Sequence, residues 1–246
     1  MPKKSGLAQQ FYIHGYDLSG DVGAINNCSS PRGTHEITGI DKSAIERVNG
    51  LADGSIEFNT WFNDAANQAH AALKDLPTGD RIILYAMGSA QGDVAAGLVA
   101  KQVNYDWQRP QDGSLQGTVQ GQGSLGVGLE WMNLFTAGKR TDTSSGVTAS
   151  KDDAAGTSNG LAAILQVFAL LTASVTISLE DSPDNAVWTT RLTFTAVAPA
   201  GAPTAERKTV AGTVDRYLRV RLTGTFTSVT WALAYRRGTA QDDKAY

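Results

Sequence analysis

The segment from Asn104 to Gly128 constrains the fold of this chain more than any other part of the sequence. It contains six glycines and five glutamines, with Leu115, Val119, Leu125 and Val127 as scattered aliphatic residues. The pattern predicts extended β structure that is polar on both faces. Because a strand in a monomer normally buries one face, such a segment predicts contact with a partner chain or with a water-filled lumen.

The same segment contains a glycine motif that is typical of dinucleotide sites. Gly121, Gly123 and Gly126 are spaced as G-x-G-x-x-G, and Asp142 follows at about the distance of a ribose-binding acid. A dinucleotide site needs these glycines between a buried strand and a helix. The residues that follow, 127–133, contain another glycine and alternate with a period of two, which disfavours a helix. We interpret the glycines as structural, and a nucleotide-dependent enzyme stays as a rival based on this motif alone.

Composition limits the classes of function. The net charge of −3 gives no basic surface for tight binding of nucleic acid. Cys28 is the single cysteine, which excludes an intrachain disulfide and a cysteine-based zinc cluster. No run of apolar residues is long enough to span a membrane, and the first residues lack the apolar region of a signal peptide. We therefore expect a protein made in the cytoplasm, without membrane insertion.

Chemistry-bearing residues are sparse and dispersed. The three histidines, His14, His35 and His70, are far apart in the sequence and match no metal-binding motif. No nucleophile, base and orienting acid can be assembled from sequence motifs. We predict no catalytic, cofactor-binding or metal-ligating residue, and no enzymatic activity.

The chain divides into two predicted domains, residues 1–140 and 161–246, joined by a linker at 141–160 that is rich in Ser, Thr, Gly, Asp and Ala. In the first domain, residues 55–62 alternate as a strand. Asp64 is placed to cap a helix over 65–76, and residues 81–87 form a further strand. This predicts a sheet with one packed helix.

The second domain alternates more regularly, as in Val175, Ile177 and Leu179 against the polar residues between them. Residues 161–171 are nearly all apolar and fit a strand or a helix, and we favour a strand. Short strands separated by turns predict a β-sandwich. Trp188, Arg219 and Arg221 are candidates for a surface that binds a saccharide or a phosphate. We favour a solvated outer face for the arginines, and for Trp188 the sequence does not separate stacking on a sugar from packing in the sandwich.

The first domain resembles the tail tube proteins of long-tailed, non-contractile bacteriophages. The likeness covers most of residues 10–137 and rests on the segments 16–23, 44–58 and 97–105. In the second segment, a short helix is expected before the turn Gly50-Leu51-Ala52-Asp53-Gly54. The second domain is similar to the immunoglobulin-like or carbohydrate-binding-like sandwich appended to many such proteins, through residues 165–167, 182–188 and 216–220.

The resemblance implies a mainly β structural protein of the virion, produced in the cytoplasm of the bacterial host. Its subunits would form hexameric rings that share strands, and the rings would stack into a tube around the tape measure protein. The tube would contact other tail proteins. Double-stranded DNA would pass transiently through its lumen. The segment 41–53 and the N-terminal arm would contact neighbouring subunits or rings. The residues predicted for ring and lumen strands are Ile56, Phe58, Phe62, Val99, Gln102, Asn104, Gln116, Gln120, Gln122 and Trp131.

Two alternatives stay open beside the nucleotide-dependent enzyme. One is an adhesion module whose second domain binds a cell-surface glycan. The other is a different virion component, such as a head decoration or tail terminator protein, which would form a single ring or cap.

Overall fold

A computed structural model describes residues 5–239 of the chain and confirms a mainly β fold. It has one short α-helix, α1 (Ala69–Leu73), and one 3-10 turn (Pro199–Gly201). The strands are β1 (Gln10–Ile13), β2 (Tyr16–Asp17), β3 (Val22–Ser29), β4 (Arg32–Glu36), β5 (Arg47–Ala52), β6 (Ser55–Trp61), β7 (Arg81–Ala86), β8 (Val94–Gln102), β9 (Asp106–Gln108), β10 (Gln116–Gly123), β11 (Glu130–Leu134), β12 (Arg140–Asp142), β13 (Gly146–Val147), β14 (Lys151–Asp152), β15 (Leu161–Leu171), β16 (Ser174–Ser182), β17 (Thr189–Thr193), β18 (Thr204–Val210), β19 (Tyr217–Thr225) and β20 (Ser228–Arg237).

The strands form four layers with three apolar cores between them, and the first three layers belong to one continuous hydrogen-bonded sheet. The first core lies between β3-β6-β10 and β1-β7-β8, with α1 packed at its side. The second lies between the opposite face of β7 and β8 and the sheet formed by β18, β15 and β20. The third lies between that sheet and the sheet of β13, β19, β16 and β17. The second half of the chain therefore forms a two-sheet sandwich that packs directly on the first half.

The segment 161–171 is a strand, as predicted. Alternate residues of β15 enter two different cores: Ala163, Leu165 and Val167 face the sandwich interior, whereas Ile164 faces β7 and β8. A strand that is buried on both faces has no solvent-exposed face that would favour polar residues. This is why its sequence is nearly all apolar and carries no alternation.

Strand β8 connects the two halves of the chain. One of its edges pairs with β7, and the other pairs with β10 at one end and β11 at the other. Because β11 also pairs with β20, one hydrogen-bonded sheet runs through both halves. Residues 141–160, the predicted linker, include β13 and β14, which pair with β19.

Two buried polar side chains, Gln166 and Arg207, form hydrogen bonds between the two halves of the chain. Gln166 on β15 is fully buried; its Oε1 accepts from the backbone N–H of Gly15 at 2.6 Å and its Nε2 donates to the carbonyl of Ile82 at 3.0 Å. Nearby, the guanidinium of Arg207 on β18 donates two hydrogen bonds to the carboxylate of Glu130 on β11, at 2.5 and 3.0 Å. Both groups are almost completely buried.

Two helix predictions were wrong. The predicted helix 65–76 is reduced to five residues, because Asn67 and Leu76 adopt positive φ angles of 63° and 41° that cannot continue a right-handed helix. Its first N–H, at Ala69, donates to the Asp21 carboxylate rather than being capped by Asp64. The short helix expected before Gly50 is absent: residues 44–46 are irregular and β5 follows. Within the described residues, no helix has the length and apolarity needed to cross a bilayer.

Candidate assembly surfaces

The outward face of β6 and β10 carries a row of amide and hydroxyl side chains with one carboxylate, Glu57, among them. In the antiparallel register, Gln116 lies opposite Trp61, Thr118 opposite Asn59, and Gln120 opposite Glu57. The Oδ1 of Asn59 accepts from Thr118 at 3.2 Å and from Asn26 of β3 at 2.8 Å. We call this surface the amide face; its members are Asn26, Ser55, Glu57, Asn59, Gln116, Thr118, Gln120 and Gln122.

The opposite face of β10 corrects the expectation that this segment is polar on both sides. Gly117, Val119 and Gly121 alternate as buried residues facing the first core. A Cβ at Gly121 would lie 2.7 Å from Cδ1 of Ile83, and one at Gly117 would lie 3.0 to 3.2 Å from the ring of Trp107. The glycines let large neighbouring side chains fill the space above the strand, so the buried face is apolar although the strand supplies little of it.

The nucleotide-like glycine motif does not have the required context. Gly123 lies at the end of β10 and Gly126 has a φ of 77° in an open turn. The chain then enters β11 rather than a helix, so no helix N-terminus faces the motif. Asp142, in the position of a ribose-binding acid, accepts hydrogen bonds from Arg140 and from Nε1 of Trp231.

The residues predicted for ring and lumen strands fall into two groups. Ile56, Phe58 and Val99 lie in apolar cores of the chain itself, and Gln102 is buried with its Nε2 donating to the carbonyl of Leu73 at 2.7 Å. The remaining six lie at least partly at the surface: Phe62, Asn104, Gln116, Gln120, Gln122 and Trp131. On β6 and β10, neighbouring residues face opposite sides of the sheet, and this alternation separates the residues that face a core from those that face the surface.

A two-stranded arm extends from the start of β6. The arm comprises β4, β5 and the loop between them, residues 32–52, and within residues 5–239 its strands pair only with each other. Ile40 is fully exposed and Leu51 is 92% exposed. Ile37, Ile45 and Val48 are also exposed. The arm also carries charged side chains of both signs. Lys42 lies near Asp41 and Glu46, and Glu36 lies opposite Arg47 in the strand register. The five exposed aliphatic side chains lie among these charges.

An aromatic patch, which the sequence did not reveal, lies at the other end of β6. It consists of Phe62, Tyr105, Trp107 and Leu115, with Phe62 and Tyr105 each about 5 Å from Trp107 between ring centroids (5.2 and 5.0 Å). Burial raises the pKa of Tyr105 to about 12. Phe62 and Leu115 remain substantially exposed. Trp61 is also exposed but lies opposite Gln116, on the amide face. These residues come from three separate segments, and only the strand register brings them together.

In the second half, Trp188, Arg219 and Arg221 are brought together around a buried carboxylate. Arg219 stacks over the Trp188 ring at 4.2 Å from its centroid. Glu180 accepts hydrogen bonds from both arginines. Burial would raise the pKa of Glu180, but the hydrogen bonds from Arg221 and Arg219 outweigh it and lower that pKa. One face of Trp188 is therefore occupied within the chain, and the arginine charges are partly neutralised.

Comparison with known proteins gives no family assignment. No family model matches the chain, and no curated protein matches it. Among solved structures, the SPP1 Dit (gp 19.1) protein, described as a paradigm of the hub adsorption apparatus in phages that infect Gram-positive hosts, aligns over 93% of this chain and 99% of its own at 12% identity, with a TM-score of 0.32. A chain of the phage p2 baseplate aligns over 94% and 99% at 8% identity, with a TM-score of 0.36. A structure of infectious bursal disease virus gives a TM-score of 0.21 at 8% identity. At these scores the likenesses carry no argument about fold or function.

Proposed function

We propose that this chain is a structural subunit of a bacteriophage tail, and that copies of it assemble into stacked rings forming the tail tube. The observation that carries the proposal is the arm. A hairpin with five exposed aliphatic side chains has no core of its own to join, and exposed apolar surface of this kind marks a site of protein contact. Assembly with further copies and with other tail proteins would cover it.

The amide face supports a role as the wall of a conduit. Its neutral amides and hydroxyls form hydrogen bonds with each other, and Glu57 is the one ionisable side chain among its named members. Binding to DNA depends on cations that displace counterions from the phosphates. The named members include no lysine or arginine, and Lys101, which lies opposite Gln122 on β8, is paired with Asp80 at 2.8 Å, so this surface would let DNA slide past. In this proposal the amide face lines the lumen, and Ile56 and Phe58 support it from the first core, whereas Val99 lies in the second core.

The proposal extends to the partners implied by the sequence resemblance. The tape measure protein would fill the lumen before ejection, and DNA would pass through it afterwards. The subunit would be made in the host cytoplasm and then reside in the virion. A glycan-binding role for the sandwich is less well supported, because Arg219 already covers one face of Trp188. A glycan array comparing the wild type with Trp188→Ala tests that alternative.

Negative-stain electron microscopy of the purified protein over a range of concentrations tests the proposal. Tubes of uniform width are expected, with a subunit repeat along the axis. Single rings or caps that never lengthen would instead indicate a terminating component, such as a tail terminator or a head decoration protein. A protein that stays monomeric at the highest concentration, as judged by sedimentation, would refute self-assembly altogether.

A further inference from the structure

The outer face of the sheet formed by β13, β19, β16 and β17 carries two arginines that are held by one buried carboxylate. Arg219 and Arg221 alternate along β19 with residues that enter the third core, so both side chains project outward. Glu180 lies opposite Arg219 on the neighbouring strand, β16. Its side chain is 5% exposed and accepts from Nε of Arg219 at 2.7 Å and from Nε of Arg221. One buried group therefore fixes both guanidiniums side by side.

The outer edges of these two guanidiniums are unused. A guanidinium has five N–H donors, and a carboxylate or a phosphate commonly takes two of them from one arginine. Arg219 and Arg221 each donate to Glu180 through Nε alone, and within residues 5–239 nothing accepts a hydrogen bond from their Nη groups. Arg216 behaves differently, because its Nε and Nη2 both donate to Asp152 at 2.6 Å. The other two arginines are oriented but keep free donors.

The pair is supported from below and open to solvent above. The guanidinium of Arg219 lies 4.2 Å from the ring centroid of Trp188. The side chain of Arg219 is 17% exposed and that of Arg221 is 43% exposed, so a ligand can reach both. The Asp184 carboxylate, in the loop before Trp188, accepts hydrogen bonds from its own loop. Two cations share the single charge of Glu180, which leaves positive charge for an anion.

The neighbours of Arg221 on this face are hydroxyls rather than further cations. Ser178 lies opposite Arg221, and its hydroxyl is 3.1 Å from that of Thr193 on β17. Thr176 and Thr223 form the next pair along the same face. Hydroxyls both donate and accept, so they suit the hydroxyl groups of a sugar or a polyol. A surface for DNA would instead need several lysines or arginines along the phosphates.

We propose that this face binds a phosphate group carried on a saccharide or a polyol. The Nη groups of Arg219 and Arg221 would donate to the phosphate oxygens, and the hydroxyls beside Arg221 would contact the carrier. Glu180 would be a positioning residue, and Trp188 would support Arg219 rather than stack on a sugar. The site lies on the fourth layer and the amide face on the first, so the inference goes beyond the proposed function and does not depend on it.

Equilibrium dialysis of the full-length protein against glycerol phosphate tests the site, because it counts bound ligand whether or not the protein has assembled. The wild type should bind glycerol at least about tenfold more weakly than glycerol phosphate, and Arg221→Met should weaken binding of glycerol phosphate by a similar factor. Arg221→Lys keeps the charge without the planar fork and should fall between the two. Arg219→Met is an independent second variant, and Arg216→Met is the matched control that should bind like the wild type. Circular dichroism and thermal melting check that each variant is folded.

Four outcomes would overturn the inference. The first is a wild type that does not bind glycerol phosphate, and the second is binding that Arg221→Met and Arg219→Met leave unchanged. The third is an equal loss in Arg216→Met, which would indicate a general attraction to surface charge. The fourth is a short DNA duplex that binds more tightly than glycerol phosphate and competes with it, which would assign the face to nucleic acid. Equal affinity for inorganic phosphate would refute the contribution of the carrier and assign the site to free phosphate. Electron microscopy of the same samples reports tube formation separately, so the failure of either proposal leaves the other standing.

Discussion

Removing Arg207 should destabilise the chain strongly, because it would leave the Glu130 carboxylate buried without its main partner. Glu130 is 1% exposed, and Arg207 is 7% exposed. The next nearest guanidinium recorded for Glu130 is that of Arg236, with Nη1 at 3.9 Å. Breaking a buried ion pair from one side typically costs about 3–5 kcal/mol. For a chain of this size, that corresponds to a fall in melting temperature of about 6–20 °C.

The paired substitution separates the ion pair from general packing. Arg207→Met keeps the length of the side chain but removes the charge. Adding Glu130→Leu removes the stranded carboxylate, and replacing both partners of a buried pair with apolar residues is often neutral or stabilising. The double variant should therefore be more stable than Arg207→Met alone, even though it carries one more substitution in the core.

Guanidinium denaturation followed by tryptophan fluorescence and by circular dichroism measures these differences, and coincidence of the two transitions checks two-state behaviour. Arg216→Met is the matched control, because Arg216 forms an ion pair with Asp152 at the surface, where both side chains are 44% exposed, and such pairs contribute little. The reasoning would be refuted if Arg207→Met cost less than about 1 kcal/mol, or if the double variant lost the sum of the two single effects.

Three further predictions test individual contacts. Gly121→Ala should lower the free energy of unfolding by about 1–3 kcal/mol, because the new Cβ would press on Cδ1 of Ile83. Adding Ile83→Val should recover part of this stability in urea denaturation. Additive losses from the two substitutions would contradict this packing account. The hydrogen bonds from Arg216 and from a backbone N–H lower the pKa of Asp152 from 3.8 to about 2. Arg216→Met should therefore raise that pKa in an NMR titration. The stability linked to Asp152 is present above pH 3.8 and is lost as the pH falls towards 2. Burial raises the pKa of the Cys28 thiol to about 11. Maleimide should therefore label the folded protein at pH 8 roughly a hundredfold more slowly than the protein in denaturant. Equal labelling rates in the two conditions would show that the thiol is exposed.

The sequence predicted the class of structure and most strands, because alternation directly records which side chains face a core. Strand β15 could be assigned only by weighing its length and context, since burial on both faces removes alternation. The helix was overestimated because its sequence has good helix formers, while the positive φ angles at Asn67 and Leu76 depend on tertiary contacts that no local pattern shows.

The candidate surfaces were only partly predictable. The glutamines of β10 stood out, and the glycines were correctly interpreted as structural, but the sequence does not show that Gly117 and Gly121 leave space for Trp107 and Ile83. The aromatic patch requires the register of β6, β9 and β10, which the sequence does not specify. Ile56 and Phe58 do lie in a strand, β6, but their place in a ring stays a prediction, and the sequence left undecided which way their side chains face.

The double-sided burial of β15 has a consequence for how the chain becomes folded during synthesis. The apolar face of β7 and β8 is covered by β15 and β20, which are synthesised after it, and the hydrogen bond from Gly15 to Gln166 joins residues 151 positions apart. Contacts this distant in sequence form late and slowly. Until β15 and β20 have been synthesised, the nascent chain exposes an apolar face that the folded protein buries, so it needs protection against aggregation over that interval.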